Sequence, residues 1–290
     1  SIRGRKKLNS NNSKPIIFIK SLLLHPLIKD LKLVDDKGIN VSIHTYDVMK
    51  IAEKYLKREF LEDVYGRKRE VDVFSMAVGI IIHDTSKATL RLSSSKLSHS
   101  HVMNKMPEVV KEEAAGILAD VEKAINMKLK EKVKNHILHI VVSHHGDWGK
   151  IRPETLEAKI VHEADKYSAL HHRITPIGAK KIVHLMTEGY SREEIAKMTG
   201  FTEGIINDRL KRSKKHLNLS TNRELIRYYR IKGTLPEGDE FFSRRISETE
   251  RLIEKVNRNG FEQLILKSEL VKMAALSNVF EEEEISTGDK

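Results

Sequence analysis

Met76-Ala-Val-Gly-Ile-Ile-Ile-His-Asp-Thr-Ser-Lys87 runs an unbroken apolar stretch straight into an imidazole and a carboxylate. Such a stretch is expected to lie inside the protein, so a buried helix would end by presenting His83 and Asp84 side by side. Neighbouring donors of this kind can chelate one ion. The pattern recurs. His144-His145-Gly146 follows the apolar run Ile137 to Val142, and Asp165 follows Ile160 and Val161 in a helical pattern. Polar side chains on otherwise buried helices need partners. Eleven of the fourteen histidines fall between His83 and His184. Density alone proves little, and these three settings single out the ones expected to do chemistry.

Outward from that stretch, composition narrows the possibilities. The 290 residues are 39% hydrophobic and 32% charged, a globular composition, and they allow one sizeable core plus one or two small modules. Fifteen Gly and six Pro are few for this length, so helices are expected over strands and tight turns. The fold class expected is all-α. No cysteine is present, which rules out disulfides and thiolate sites and points to a reducing, cytoplasmic setting. The longest apolar stretch, Pro15 to Ile28, is broken by Lys20 and His25 and falls short of the roughly 20 residues that span a bilayer. No membrane association is expected. Arg3, Arg5, Lys6 and Lys7 are not followed by a clean apolar core and read as a flexible cationic tail. The formal net charge of +11 favours an anionic partner.

Periodicity and punctuation divide the chain into a basic tail over 1–14, a helical domain over 15–175, a basic module over 176–232 and a C-terminal helical extension over 233–290. Pro176 and Gly178 mark one boundary, and Gly233, Pro236 and Gly238 mark the next. The chain ends beyond the acidic run Glu281 to Glu284.

Mixed imidazole and carboxylate donors suit a hard or borderline divalent ion such as Mn²⁺, Fe²⁺ or Mg²⁺. Coordination lowers the pKa of water to about 7 and polarises a phosphoryl oxygen, so the donor set predicts hydrolysis. His44 in Ser42-Ile-His-Thr-Tyr-Asp47, His83-Asp84 and Asp165 in His162-Glu-Ala-Asp-Lys166 together resemble the H…HD…D pattern of the HD phosphohydrolases. That resemblance implies an HD-type helical bundle in which His44, His83, Asp84 and Asp165 hold metal. His101 in Ser98-His-Ser-His-Val102 and the pair His144-His145 resemble the added histidines of HD enzymes with two ions, which makes Asp84 the candidate bridge. Lys87, one turn past His83, is a candidate for meeting a substrate phosphate. Val141-Val-Ser-His-His-Gly-Asp-Trp-Gly149, with Glu157-Ala158 and His162 to Leu170, is similar to the HD domain of bacterial 3′-to-5′ exoribonucleases. Two departures accompany the likeness: no OB-like strands precede His44, and Ser86 stands where HD-x-G-K has glycine. Trp148 is read either as a base-stacking ring or as a lid over the core.

From Tyr190 to Leu210 the chain looks like a helix-turn-helix of the sigma-factor or response-regulator type. Ser191 and Glu194 fit a capping box, Gly200 the turn, Phe201 the packing beneath it, Thr202 the second cap, and Ile206 and Leu210 a buried stripe. Between Arg209 and Lys232 lie nine lysines or arginines and one acidic residue, Glu224, so Arg209, Lys211, Arg212, Lys214 and Lys215 are candidate phosphate contacts. The expected function is a metal-dependent phosphodiesterase, first of all a nuclease acting on RNA or single-stranded DNA ends. The alternatives are a nucleotide or cyclic-dinucleotide phosphohydrolase, and a nucleic-acid-binding regulator whose HD domain does not turn over.

Overall fold

The computed structural model describes residues 13–36, 39–62, 71–93, 95, 97–172, 179–199, 202–232 and 240–282. Helices α1 (Lys14–Leu24) and α2 (Pro26–Asp30) each take a proline in their first turn, where a missing N–H costs nothing. Strands β1 (Asp35–Asp36) and β2 (Ile39–Asn40) form a short antiparallel pair, Asp35 opposite Asn40. Then come α3 (Val41–Glu62), α4 (Val73–Ile82), α5 (Thr85–Leu92), α6 (His99–Lys105), α7 (Pro107–Ile125), α8 (Glu131–Ser143) and α9 (Leu156–His171). After them stand α10 (Ala179–Thr187), α11 (Arg192–Thr199), α12 (Glu203–His216), α13 (Asn222–Ile231), α14 (Glu240–Asn259), α15 (Phe261–Leu266) and α16 (Glu269–Ala274). The all-α expectation holds. Among the described residues no helix is long and apolar enough to cross a membrane.

The contacts separate two compact units. One takes Ser1–Val34, Val41–Ser168 and Lys255–Lys290, and the other Asp35–Asn40 and Ala169–Glu254. The first unit is built around α4, all ten of whose residues are buried. Asp72 starts this helix by accepting the Ser75 N–H at 2.9 Å and the Ser75 hydroxyl at 2.6 Å. Each large side chain buried along α4 contributes about 1.5–3 kcal/mol. Beside it runs α8, so close that a Cβ on Gly79 would lie 2.6 Å from Ile140 Cγ2. Only glycine permits that approach. The C-caps of the two helices are His83 and His144, so their close packing carries both imidazoles to one place.

The helices at the C-terminal end include α15 and α16, which fall within the first unit. Helix α16 packs on α4, and Phe280 joins Phe18 and Phe74 with ring centroids 6.0 and 6.2 Å away. The Lys130 N–H donates to the Val279 carbonyl at 2.8 Å, and the Glu281 N–H to that of Lys128 at 2.9 Å. Glu53 Oε1 accepts the Glu269 N–H at 2.7 Å. The end of the described chain thus completes the first core, because its apolar face covers a side of α4 that would otherwise meet water.

The second unit has its own core, formed by Ile182, Val183, Leu185, Ile195, Ile206, Leu210 and Leu225. Its helix starts are capped as their sequences dictate. Glu194 Oε2 accepts the Ser191 N–H at 2.7 Å while Ser191 Oγ accepts that of Glu194, Thr202 caps α12, and Thr221 forms a capping box with Glu224. The expected punctuation at Pro176, Gly178, Gly200, Phe201, Gly233, Pro236 and Gly238, and residues 1–12 of the tail expected over 1–14, lie outside the described residues.

Candidate metal centre

Five stretches of the first unit supply the candidate donors. His44 comes from the first turns of α3, His83 and Asp84 from the end of α4, His99 from the start of α6, His144 and His145 from the end of α8, and Asp165 from α9. His44, His83, Asp84, His99 and His144 are buried, and Asp165 keeps 14% of its side chain exposed. Asp84 stands at the middle. Its Oδ2 faces His83 Nε2 at 3.4 Å and His44 Nε2 at 3.6 Å, and its Oδ1 faces His99 Nε2 at 3.2 Å and His144 Nε2 at 3.8 Å. His44 Nε2 also lies 2.8 Å from Asp165 Oδ1. One atom each from His44, His83 and Asp84 falls within 4.8 Å of the others, and the same holds for His99, His144 and His145.

The outer ring nitrogens of His44, His83, His99 and His144 are engaged. His83 Nδ1–H donates to the Ile80 carbonyl and His144 Nδ1–H to that of Val141, each at 2.6 Å. His44 Nδ1 meets Ser168 Oγ at 2.9 Å, and His99 Nδ1 meets Ser86 Oγ at 2.7 Å. Held from outside, the rings aim Nε2 inward. His83 Nε2 is buried there without a hydrogen bond. A fully desolvated ring nitrogen in that state is costly unless something else takes its lone pair, and a cation does so. The donor set therefore fits a metal.

Electrostatics sort the groups into the forms that a cation needs. Burial alone would raise the Asp84 carboxyl, but the Lys87 ammonium at 2.7 Å and the imidazoles of His83, His99 and His44 outweigh it, holding the group well below the usual carboxylate range. Asp84 stays ionised. Burial pushes His99 and His144 well below the ordinary imidazole value and lowers His145 too, so these rings are neutral with lone pairs to offer.

His101 is not brought into this cluster. It is exposed, and His99 occupies the inward position instead. Ser98 caps α6 by accepting the His101 N–H, which fixes the helix register. Residues two apart on a helix point about 200° apart, so only one of His99 and His101 can look inward. Val102 and Met103 are buried on the same side as His99, at the helical spacings that complete one face. The pattern was readable from the sequence through that spacing.

His162 shapes the turn after the histidine pair. Its Nδ1–H donates to the His144 carbonyl at 2.7 Å, and its ring fills the space where a Cβ on Gly146 would sit, 2.2 Å from Cε1. Gly146 has φ +54°, a further reason for glycine. Trp148 follows, 61% exposed, and so is no lid over the core. Its carbonyl accepts from Asn104 Nδ2 at 3.2 Å, and the Lys150 N–H donates to the Met103 carbonyl at 3.2 Å, bracing this loop against the end of α6.

In the second unit Lys211, Arg212 and Lys215 are exposed, while Arg209 and Lys214 are half-buried. Arg212 pairs with Asp208 one turn earlier at 2.6 Å.

Residues 41–170, less than half of the chain, match the HD domain family. Over 125 residues it is 32% identical to the dihydroneopterin 2′,3′-cyclic phosphate phosphodiesterase of Methanocaldococcus jannaschii, a match covering 42% of this chain and 43% of that one. The chain thus spans less than half the length of this curated relative. No solved structure matches it significantly.

Proposed function

We propose that the HD centre is a metal-dependent phosphodiesterase site, with His44, His83, Asp84 and Asp165 holding one divalent cation and His99, His144 and His145 sharing Asp84 to hold a second. The arrangement of Asp84 carries this reading: one oxygen turns to His44 and His83, the other to His99 and His144. Imidazole with carboxylate, and no thiolate, suits Mn²⁺, Fe²⁺ or Mg²⁺. When bound, such cations acidify a coordinated water and polarise a phosphoryl oxygen. The chain's own groups prepare the rest. Asp84 offsets cationic charge, the neutral imidazoles supply lone pairs, and Lys87, 12% exposed beside Asp84, brings a point charge for an anionic phosphate oxygen.

For the substrate we infer a phosphodiester at the end of RNA or single-stranded DNA. Support comes from the likeness of residues 141–149 to exoribonuclease HD domains, from the capped helices α11 and α12, which suit a helix-turn-helix, and from the basic run Arg209 to Lys232 that begins within α12. A second reading, a small cyclic phosphate ester or a free nucleotide, is favoured by the substrate in the archaeal relative's name. Purified protein with Mn²⁺ would be assayed against single-stranded RNA, single-stranded DNA, a nucleoside 2′,3′-cyclic phosphate, a nucleoside triphosphate and a cyclic dinucleotide. Turnover of the polynucleotides is expected, and activity on small esters alone would decide for the second reading. The Asp84→Ala protein is expected to be inactive on all five, and retained activity overturns the site. Replacing Lys211, Arg212, Lys214 and Lys215 together is expected to flatten the salt dependence of single-strand binding by about 3 log units per log unit of salt, at roughly 0.7 per phosphate contact.

A further inference from the structure

The four imidazoles around Asp84 differ in what holds their outer nitrogen. His83 and His144 use main-chain carbonyls of their own helix, whereas His99 and His44 use the hydroxyls of Ser86 and Ser168. A carbonyl oxygen only accepts, so His83 and His144 carry a proton on Nδ1, which in a neutral ring places the lone pair at Nε2. A hydroxyl accepts or donates, so the rings held by serine can carry the proton on either nitrogen.

The inner nitrogens divide the same way. His44 Nε2 lies 2.8 Å from Asp165 Oδ1 and His99 Nε2 3.2 Å from Asp84 Oδ1, close enough for an N–H to donate to a carboxylate. His83 Nε2 makes no hydrogen bond, and His144 Nε2 stays 3.8 Å from Asp84 Oδ1 while facing His99 Nε2 at 3.5 Å. That last contact suits an N–H on His99 and a lone pair on His144. Both serines are buried, Ser86 at 4% and Ser168 at 0% exposure, so water does not compete for the hydroxyls.

We propose that Ser86 and Ser168 are positioning residues that aim His99 and His44 at a divalent cation and let each ring change tautomer as the cation is taken up. The inference rests on the metal-site reading above. In each ring the Nε2–H bond breaks and its proton leaves to solvent, a proton from solvent adds at Nδ1, and the serine hydroxyl keeps its own proton while turning from donor to acceptor, with no net change in charge. The carbonyl-held pair stays fixed, and the serine-held pair adapts.

The test uses the full chain, ¹⁵N-labelled, stripped with chelator and titrated with Zn²⁺ as a diamagnetic probe. Long-range ¹H–¹⁵N correlation reports which nitrogen of each ring is protonated. His83 and His144 are expected as Nδ1–H throughout, while His99 and His44 change from Nε2–H to Nδ1–H on loading. In parallel, Ser86→Ala is expected to weaken Zn²⁺ about 10- to 100-fold by chelator competition, the usual effect of losing a ligand's outer partner, and Ser86→Thr to restore it. His99 and His44 protonated on Nδ1 before and after loading overturn the proposal, as does an unchanged affinity in Ser86→Ala. Should that variant fail to fold, the ring readout in the unaltered chain decides alone. A parent protein that takes up no Zn²⁺ overturns the metal site as well, whereas normal uptake with unmoved tautomers overturns this inference only.

Discussion

Helices α4 and α8 run side by side in the same direction, with a cluster of buried histidines at one end and a single histidine between two carboxylates at the other. At their C-terminal ends His83 and His144 stand among buried rings, with His99 and His144 held neutral by desolvation. Toward their N-terminal ends His136 lies between Asp72 at 3.3 Å and Glu157 at 3.3 Å. There the hydrogen bonds to Asp72 and then Glu157 outweigh partial burial and raise the imidazole to about 9. Burial would raise both carboxyls, but His136 together with N–H and hydroxyl donors lowers them. One residue type serves as a lone-pair donor at one end and as a cation at the other. Neighbouring charge and depth decide which.

The strongest way to break this contrast is to remove a ring from the C-terminal end. His83→Ala is expected to lose bound cation, measured by elemental analysis, and about 4 kcal/mol of transition-state stabilisation, roughly a thousandfold in turnover. His136→Ala is expected to keep its cation content but to unfold in urea with stability lower by about 1–3 kcal/mol, since Asp72 and Glu157 lose their shared partner. Loss of cation there would erase the distinction between the two ends.

Acidity gives a finer probe. A histidine raised from 6.5 to about 9 adds stability that is fully present below pH 6.5 and fades as pH climbs through about 9. Asp72 and Glu157, lowered in the fold, add stability above the ordinary carboxylate range and lose it as pH falls through their folded values. Urea midpoints of the parent are thus expected to drop between pH 7 and pH 10, and those of His136→Gln to stay nearly level there. Parallel curves would remove the ion pair from the account. The smallest effect is expected from His101→Ala, within about 0.5 kcal/mol in stability and with unchanged cation content, while His99→Ala loses cation.

The sequence displayed the helical class and the positions of His83, Asp84, His144 and His145 because each pair follows an apolar run that has nowhere to go but inside. Ser98-His-Ser-His101 was harder, because both histidines fit a ligand pattern and only the Ser98 cap with buried Val102 and Met103 selects His99. The contacts of Ser86 with His99 and of Ser168 with His44 were hidden for a different reason. Ser168 lies far along the chain from His44, and buried serines carry no periodic signal that names a partner. The return of residues 261–280 to the first core was equally unreadable, since an amphipathic helix announces that it has an apolar face but not what will cover it.

That return has a consequence for synthesis. Translation proceeds from the N-terminus, so all the groups around Asp84 leave the ribosome well before α16 and Phe280 do. Until those residues emerge, one flank of α4 stays bare on the nascent chain, and the helix whose end carries His83 lacks part of its support. A stalled or prematurely terminated product would therefore hold every donor and still present a sticky, half-covered helix, a natural target for chaperones and proteases.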